Sequence, residues 1–142
     1  MTMTNILAKI IEQKKLEIAA LDAQALRRAA ESAPAPRDFL AAIKRRRFGT
    51  HPSLIAELKR ASPSKGILAP HLDLFQVADI YTQNGASAIS VLTDEKFFKG
   101  KLETLHQLRI MQSRSEAERT NHQLPLLRKD FIIDESQIYE AR

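Results

Sequence analysis

The hydrophobic pattern predicts that the chain begins with helices. Between residues 6 and 30, isoleucines and leucines recur every three or four positions among Lys, Glu and Gln, which is typical of one amphipathic helix. Thr4 or Asn5 would cap its start, and two prolines that follow would end it. Residues 37–43 are predicted to form the first part of a shorter second helix, which ends by Gly49.

Three short apolar runs follow, and each one leads into a charged segment. They cover residues 54–58, 86–92 and 124–128. Because such runs are too short for helices, they predict the strands of a parallel sheet, and the first strand is interpreted as buried on both faces. The polar stretch 112–123, which shows no periodicity, is interpreted as a frayed helix end and a surface loop.

A helix is predicted after each strand. Asp73, with Gln76 three residues later, would cap the first of these helices, and Gly85 would end it in a left-handed conformation. The second contains leucines spaced three apart at 102–108, and Asp134 would cap the third. The unit is therefore strand, loop, helix, repeated three times.

This repeating unit predicts the α/β fold class. A spacing of roughly 35 residues is the length of a βαβ module, which implies parallel strands with right-handed crossovers. A (β/α)₈ barrel places its active site at the carboxyl ends of such strands, whereas a doubly wound sheet usually has a glycine-rich turn after its first strand. The sequence has only four glycines and no G-x-G-x-x-G. The pattern therefore favours a barrel over a doubly wound sheet, with residues 1–50 as a helical extension and residues 51–142 as three βα modules.

Charged side chains at the end of the first strand are candidates for chemistry. Glu57 and Lys59 are two residues apart, so on a strand they point the same way, and a carboxylate beside an ammonium can move protons. Four residues that follow carry donors suited to an anionic ligand: Arg60, Ser62, Ser64 and Lys65. A structural ion pair and a hydrophilic turn are the alternative. Charge at the ends of the next two strands, at 94–96 and 129–130, favours a site.

Composition restricts the classes of protein. With 142 residues and 44% hydrophobic side chains, the chain is one globular domain or part of one. The absence of cysteine excludes disulfides and thiolate metal sites, and the four histidines show no ligand spacing, so no role is assigned to them. No apolar run approaches the roughly 18 residues of a membrane span. Without a recognisable secretory signal, a cytoplasmic location is expected.

A net charge of +5 and a pI near 9.7 raise the alternative of nucleic-acid binding. The basic run 44–47 is the obvious patch. It closes a predicted helix, where cations interact favourably with the helix dipole, and no aromatic residues interleave with it to stack bases. A solvated helix end is therefore the preferred interpretation, and no nucleic-acid partner is expected.

Three segments resemble indole-3-glycerol phosphate synthases. They are residues 56–66 (AELKRASPSKG), 88–100 (AISVLTDEKFFKG) and 127–134 (LRKDFIID). The resemblance implies a TIM barrel with an N-terminal extension that helps cover the active site. It also implies closure of the indole ring of 1-(2-carboxyphenylamino)-1-deoxyribulose 5-phosphate, with loss of carbon dioxide and water, in tryptophan biosynthesis and without cofactor or metal. Phosphoribosylanthranilate isomerase is the nearest alternative enzyme, but these motifs do not resemble it.

The resemblance also implies roles for individual residues. Lys129 matches the general acid that protonates the ribulose carbonyl, Lys59 a lysine that contacts substrate and acts in the later dehydration, and Glu57 its carboxylate partner. The expected substrate-binding residues are Ser62 and Pro63, in a turn beside the substrate, and Phe98 and Phe131, as walls for the anthranilate ring. For the two phenylalanines, ordinary core packing is an equal alternative.

A complete TIM barrel has eight strands and about 250 residues, whereas this sequence predicts three strands. It therefore resembles the N-terminal portion of the enzyme, and we expect it to be inactive without the C-terminal half of the barrel. A second catalytic glutamate and the phosphate-binding loops are implied to come from later strands. The alternative from another class is an interaction fragment that donates its strands to a split barrel.

Overall fold

The computed structural model describes residues 5–44, 52–68, 70–114 and 123–142. The helices in these ranges are α1 (Ile6–Ala19), α2 (Ala23–Ser32), α3 (Phe39–Lys44), α4 (Leu74–Gln83), α5 (Glu95–Phe98), α6 (Leu102–Arg114) and α7 (Ser136–Ala141). The strands are β1 (Ile55–Leu58), β2 (Ala61–Ser62), β3 (Gly66–Ile67), β4 (Ala88–Leu92) and β5 (Leu126–Lys129). Three parts of these predictions lie outside the described residues: residues 45–47 of the basic run 44–47, the predicted helix end by Gly49, and residues 115–122 of the predicted loop 112–123.

Three of the strands form one parallel sheet in the order β1-β4-β5. Glu57 of β1 lies beside Ser90 of β4, which lies beside Leu127 of β5, and Leu92 lies beside Lys129. Helix α4 connects β1 to β4, and α6 connects β4 to β5. The predicted α/β class with parallel strands is thus confirmed for this part of the chain.

The hydrophobic core lies between one face of this sheet and helices α4 and α6. Alternate strand residues point to it, because successive side chains of a strand face opposite ways. Its buried members are Ala56 and Leu58 of β1, Ile89 and Val91 of β4, Leu74 and Ala78 of α4, Leu108 of α6, and Ala86 and Leu124. Burying one such leucine or isoleucine side chain stabilises the fold by about 1.5–3 kcal/mol.

The opposite face of the sheet is only partly covered by the described residues. The side chains of Ile55 and Leu127 are 43% and 41% exposed, whereas all five residues of β4 are buried. The prediction that the first strand is buried on both faces is therefore wrong. Within the described part of the sheet β1 lies at an edge, and only the central strand has neighbours on both sides.

The predicted N-terminal helix is two helices. The carboxylate of Asp22 accepts a hydrogen bond from the backbone N–H of Ala25 at 2.9 Å and starts α2. An aspartate can offer the backbone this alternative partner, so it interrupts a pattern that is otherwise periodic. The expected cap at the first start is confirmed, since Asn5 accepts from the N–H of Leu7 at 3.0 Å.

Other local predictions are confirmed or corrected by the backbone. Asp73 caps α4 through the N–H of Phe75, and Gly85 follows that helix with φ +89°. The final helix has Glu135 at its N-cap position, one residue later than predicted, although Asp134 still accepts from the N–H of Ser136 at 2.9 Å. The charged segments after β1 and β4 are predicted to be loops, but they contain the β2–β3 hairpin and α5.

The chain divides into two compact units. One comprises Met1–Pro36 with Asp130–Arg142, and the other comprises Arg37–Lys129 with the parallel sheet. Within the first unit α2 packs against α7, and the guanidinium of Arg142 donates to the carbonyl of Pro34 at 2.6 Å. The sequence-based division at residue 50 stays a prediction.

Candidate functional site

Glu57 and Lys59 form an ion pair at the carboxyl end of β1. The ammonium Nζ of Lys59 donates to Oε1 of Glu57 at 2.6 Å, and the two side chains are 35% and 36% exposed. Their spacing of two residues does bring them to the same side of the chain, as expected. The pair keeps contact with solvent, so its charges remain available to a bound molecule.

Lys129 is the last residue of β5. Its side chain is exposed, and its carbonyl accepts a hydrogen bond from the N–H of Thr93 at 3.1 Å. Because Leu127 lies in register with Ser90 and Glu57, and side chains alternate along a strand, Lys129 projects from the same sheet face as Glu57. The backbones of β1 and β5, two strands apart, are about 10 Å from each other.

Ser62 is the last residue of β2, and Pro63 follows it in the turn to β3. The N–H of Lys65 is within hydrogen-bonding distance of both the carbonyl and the hydroxyl of Ser62, at 3.3 and 3.2 Å. Gly66 follows with φ +64°, a conformation that glycine adopts without strain. Pro63 is exposed, as are the other predicted anion donors Arg60, Ser64 and Lys65. The hairpin therefore presents its donors to solvent just beyond β1.

Phe98 is half-buried at the end of α5, a helix that lies against β2. Its position is fixed by Asp94, whose fully buried carboxylate accepts from the N–H groups of Phe97 and Phe98 at 2.7 and 3.2 Å. The N–H of Gly100 donates to the carbonyl of Asp94 at 2.8 Å. The structure thus brings the helix that carries Phe98 next to the strand that contains Ser62.

Gly100 closes this loop onto the end of β4. A Cβ atom at this position would overlap the carbonyl oxygen of Leu92. Because there is no room for a side chain where the chain approaches the strand so closely, only glycine fits at this position.

Phe131 belongs to the other unit, and its surroundings are described within that unit. It is half-buried, its N–H donates to Oδ1 of Asp130 at 2.8 Å, and its carbonyl accepts from Nε2 of Gln137 at 3.0 Å. These bonds fix the backbone on both sides of the ring.

A buried ion pair in the same unit was not predicted. Nζ of Lys14 in α1 lies 2.8 Å from Oδ1 of Asp130, and the side chains are only 2% and 1% exposed. Lys14 also contacts Oε2 of Glu17 at 2.8 Å. The sequence shows Lys14 only as part of a polar helix face, and no local signal identifies a partner so far along the chain.

Two further residues near the strand ends were also missed. Ser90 is buried in β4, directly between Glu57 and Leu127; its signal is a single hydroxyl within an apolar strand. Asp94 was interpreted only as one of several loop charges, although an aspartate just before a short run of helix formers is typical of an N-cap.

Among the described residues, no group of three or more His, Asp or Glu side chains is arranged to hold a metal ion. Within the same ranges, no helix has the length and apolar character needed to span a bilayer.

Comparison with known proteins gives a consistent result. The family model for indole-3-glycerol phosphate synthase matches residues 7–142. The synthase of Chloroherpeton thalassium is 49% identical over 140 residues, covering 96% of this chain and 50% of that protein. Those of a Roseiflexus species and of Neisseria meningitidis serogroup C are 48% and 42% identical, covering 99% of this chain and 51% and 52% of those proteins. The chain thus spans about half the length of the curated relatives it matches.

Proposed function

This chain belongs to the indole-3-glycerol phosphate synthase family, and from that premise we propose that it supplies the first part of a TIM-barrel active site for that reaction. The proposed reaction closes the indole ring of 1-(2-carboxyphenylamino)-1-deoxyribulose 5-phosphate and releases carbon dioxide and water. It uses no metal or cofactor. Its substrate is therefore a phosphorylated small molecule, and no nucleic-acid partner is involved.

One observation carries this proposal. Lys129 and the Glu57–Lys59 pair project from the carboxyl ends of parallel strands in one sheet, and Lys129 shares its sheet face with Glu57. In (β/α)₈ barrels this end of the strands carries the catalytic groups. A reaction with two proton-dependent steps requires two sets of acid–base groups. Lys129 would serve one step, and the Glu57–Lys59 pair the other.

In the first step, Lys129 acts as the general acid. The ring carbon that bears the carboxylate attacks the ribulose carbonyl carbon, a carbon–carbon bond forms, and the carbonyl oxygen takes the proton of the Lys129 ammonium. Carbon dioxide then leaves from the same ring carbon, and its bonding electrons restore the aromatic ring.

In the second step, Lys59 acts as the acid. It protonates the hydroxyl formed in the first step, which leaves as water, and a carbon-bound proton is lost to form the new double bond. Glu57, 2.6 Å from Lys59, holds this ammonium in place. The base that takes the carbon-bound proton is assigned to later strands of the barrel.

The remaining site residues have binding roles in this proposal. Ser62 and Pro63 border the substrate from the hairpin beyond β1, and Phe98 contacts the anthranilate ring from α5, which lies against β2. Phe131 is the second wall for the ring. The half-buried state of both phenylalanines leaves part of each ring surface for such a contact.

Activity in this proposal depends on the other βα modules of the barrel. The curated relatives are about twice as long as the chain, and Ile55 and Leu127 are more than 40% exposed on the sheet face that a closed barrel would bury. The partner of this chain is therefore the C-terminal half of the barrel, and the chain alone is inactive. A cytoplasmic location stays a prediction.

The experiment uses a fusion in which this chain is continued after Arg142 by the second half of the Chloroherpeton thalassium relative; we call it the joined barrel. Formation of indole-3-glycerol phosphate is measured by fluorescence. We expect turnover by the joined barrel and none by this chain alone. Lys129→Met should lower kcat about 100-fold or more, the scale for losing a positioned acid.

The matched control is Lys101→Met, which removes an exposed lysine outside the site and should leave kcat unchanged. A folded joined barrel without turnover, or one in which Lys129→Met has the rate of the control, would contradict the proposal.

A strand-donating interaction fragment is the second candidate function. The observation that favours it is that β1 and β5 form the two edges of the sheet in the described residues, and such edges readily pair with other strands. Gel filtration of this chain with and without the separate C-terminal half tests it. Donation requires a stoichiometric complex, and separate elution would exclude it.

A further inference from the structure

The buried pair between Lys14 and Asp130 is an unusual arrangement for two charges. Both side chains are at least 98% buried, with Nζ and Oδ1 2.8 Å apart. Removing two charges from water costs more than their attraction returns unless further hydrogen bonds satisfy them. Here Glu17 also contacts the ammonium, and the N–H of Phe131 donates to the carboxylate, both at 2.8 Å.

Stability alone is a weak explanation for such a pair. Apolar residues of similar volume often replace buried ion pairs with no loss of stability. What an ion pair adds is direction, because a charge-assisted hydrogen bond fixes the position of both partners more closely than apolar packing does.

The position of Asp130 in the chain suggests what this fixed geometry is for. Asp130 directly follows Lys129, the proposed general acid. On its other side, the backbone of Lys129 is held in the sheet by the hydrogen bond from Thr93 and by its register with Leu92. The carboxylate of Asp130 accepts from the N–H of Phe131 and pairs with the ammonium of Lys14, so the residue that directly follows Lys129 is held by its side chain.

We propose that Lys14 and Asp130 are positioning residues for Lys129, an inference that rests on the proposed function. Neither residue touches the substrate. Their ion pair holds the chain where it leaves β5, and this keeps the ammonium of Lys129 at the distance from the ribulose carbonyl that proton transfer requires. Misplacing a reacting group by about 1 Å can lower a rate about 100-fold.

The test compares Asp130→Asn and Lys14→Met in the joined barrel, alone and combined with Lys129→Met. We expect each single change to lower kcat roughly 10- to 100-fold while KM stays within about twofold, since binding groups are untouched. In the Lys129→Met background, Asp130→Asn should lower kcat no further. Full additivity of the two effects, or an unchanged kcat in the folded single variants, would overturn the proposal.

Two milder changes keep the test decisive if those variants do not fold. Lys14→Arg retains a cation and should keep most of kcat, whereas Asp130→Glu moves the carboxylate by one methylene and should lower it. A folded Asp130→Glu variant with the unmutated kcat would overturn the proposal. Lys15→Met, which breaks the exposed pair with Glu12 on the same helix, is the matched control and should have no effect.

A second readout does not depend on activity. The rate at which an amine-reactive ester labels Lys129 in this chain is measured by mass spectrometry, with Lys101 as internal reference. We expect Asp130→Asn to change the labelling rate of Lys129 several-fold and to leave that of Lys101 unchanged. If Lys129 is labelled at the same rate in the variant and in the unmutated chain, the proposal is overturned. If the unmutated joined barrel is inactive, the proposed function fails, and the labelling result still decides the role of the pair.

Discussion

The charged residues at the strand ends divide into two groups that the sequence does not distinguish. Glu57, Lys59 and Lys129 are at least one-third exposed, whereas the side chains of Asp94 and Asp130 are almost completely buried. Both groups occupy equivalent places, directly at or after the carboxyl ends of parallel strands. Charge at such a place therefore does not by itself identify a catalytic group.

The chemistry of the side chains explains the division. An aspartate has a short side chain whose oxygens accept bonds from nearby N–H groups, so Asp94 and Asp130 complete the backbone around them. A lysine has a long flexible stem that carries its charge away from the backbone. The aspartates hold the loops, whereas the charges of the lysines and Glu57 stay in contact with solvent.

The largest expected effect comes from breaking the buried pair. Lys14→Met leaves the carboxylate of Asp130 buried without its cation and should lower the free energy of unfolding by about 3–5 kcal/mol. Urea unfolding of this chain, followed by circular dichroism, measures it. The control Lys15→Met breaks an exposed pair and should cost less than about 1 kcal/mol; equal losses would contradict the distinction between the two pairs.

The next effect concerns the buried aspartate after β4. Asp94→Ala removes the acceptor of two N–H groups at the start of α5 and should lower the free energy of unfolding by about 1–3 kcal/mol. Asp94→Asn keeps one acceptor oxygen and should lose less. The same unfolding experiment measures both variants, and an alanine variant as stable as the unmutated chain would show that this carboxylate does not hold the loop.

The exposed pair should behave in the opposite way. Glu57→Gln should change the free energy of unfolding by less than about 1 kcal/mol, because an ion pair in contact with water contributes little. In the joined barrel, the same change should lower kcat at least about tenfold, because Lys59 loses the group that holds it. A large loss of stability with an unchanged kcat would place Glu57 with the structural aspartates.

The smallest effect is the pH dependence contributed by an exposed aspartate. Hydrogen bonds from the hydroxyl and the N–H of Ser136 lower the pKa of Asp134 below its ordinary value of 3.8. The unfolded chain therefore binds this proton more readily than the folded one, so the stabilisation is complete above pH 3.8 and is lost as the pH falls through the lower folded-state pKa. Asp134→Asn should reduce the acid dependence of unfolding, and an identical pH profile would contradict this account.

Local signals in the sequence predicted much of the fold. The hydrophobic pattern predicted the three strands and their parallel orientation. Capping residues predicted the starts of α1 at Asn5 and of α4 at Asp73. The placing of Glu57 beside Lys59 also follows from their spacing alone.

Features that depend on distant partners were not predictable in this way. The partner of Lys14 is a residue near the other end of the chain, and periodicity shows only that Lys14 lies on a helix. Whether β1 is buried on one face or both depends on which strands and helices flank it, which no property of its own residues determines. The break at Asp22 was missed because the apolar spacing continues across it.

The role of Lys129 is best tested by the rate of indole-3-glycerol phosphate formation by the joined barrel, with and without Lys129→Met, in protein shown to be folded. We predict turnover by the unmutated protein, a loss of about 100-fold or more in kcat for the variant, and a free energy of unfolding that differs by less than about 0.5 kcal/mol. An unchanged kcat in the variant would show that Lys129 is not the general acid of this reaction.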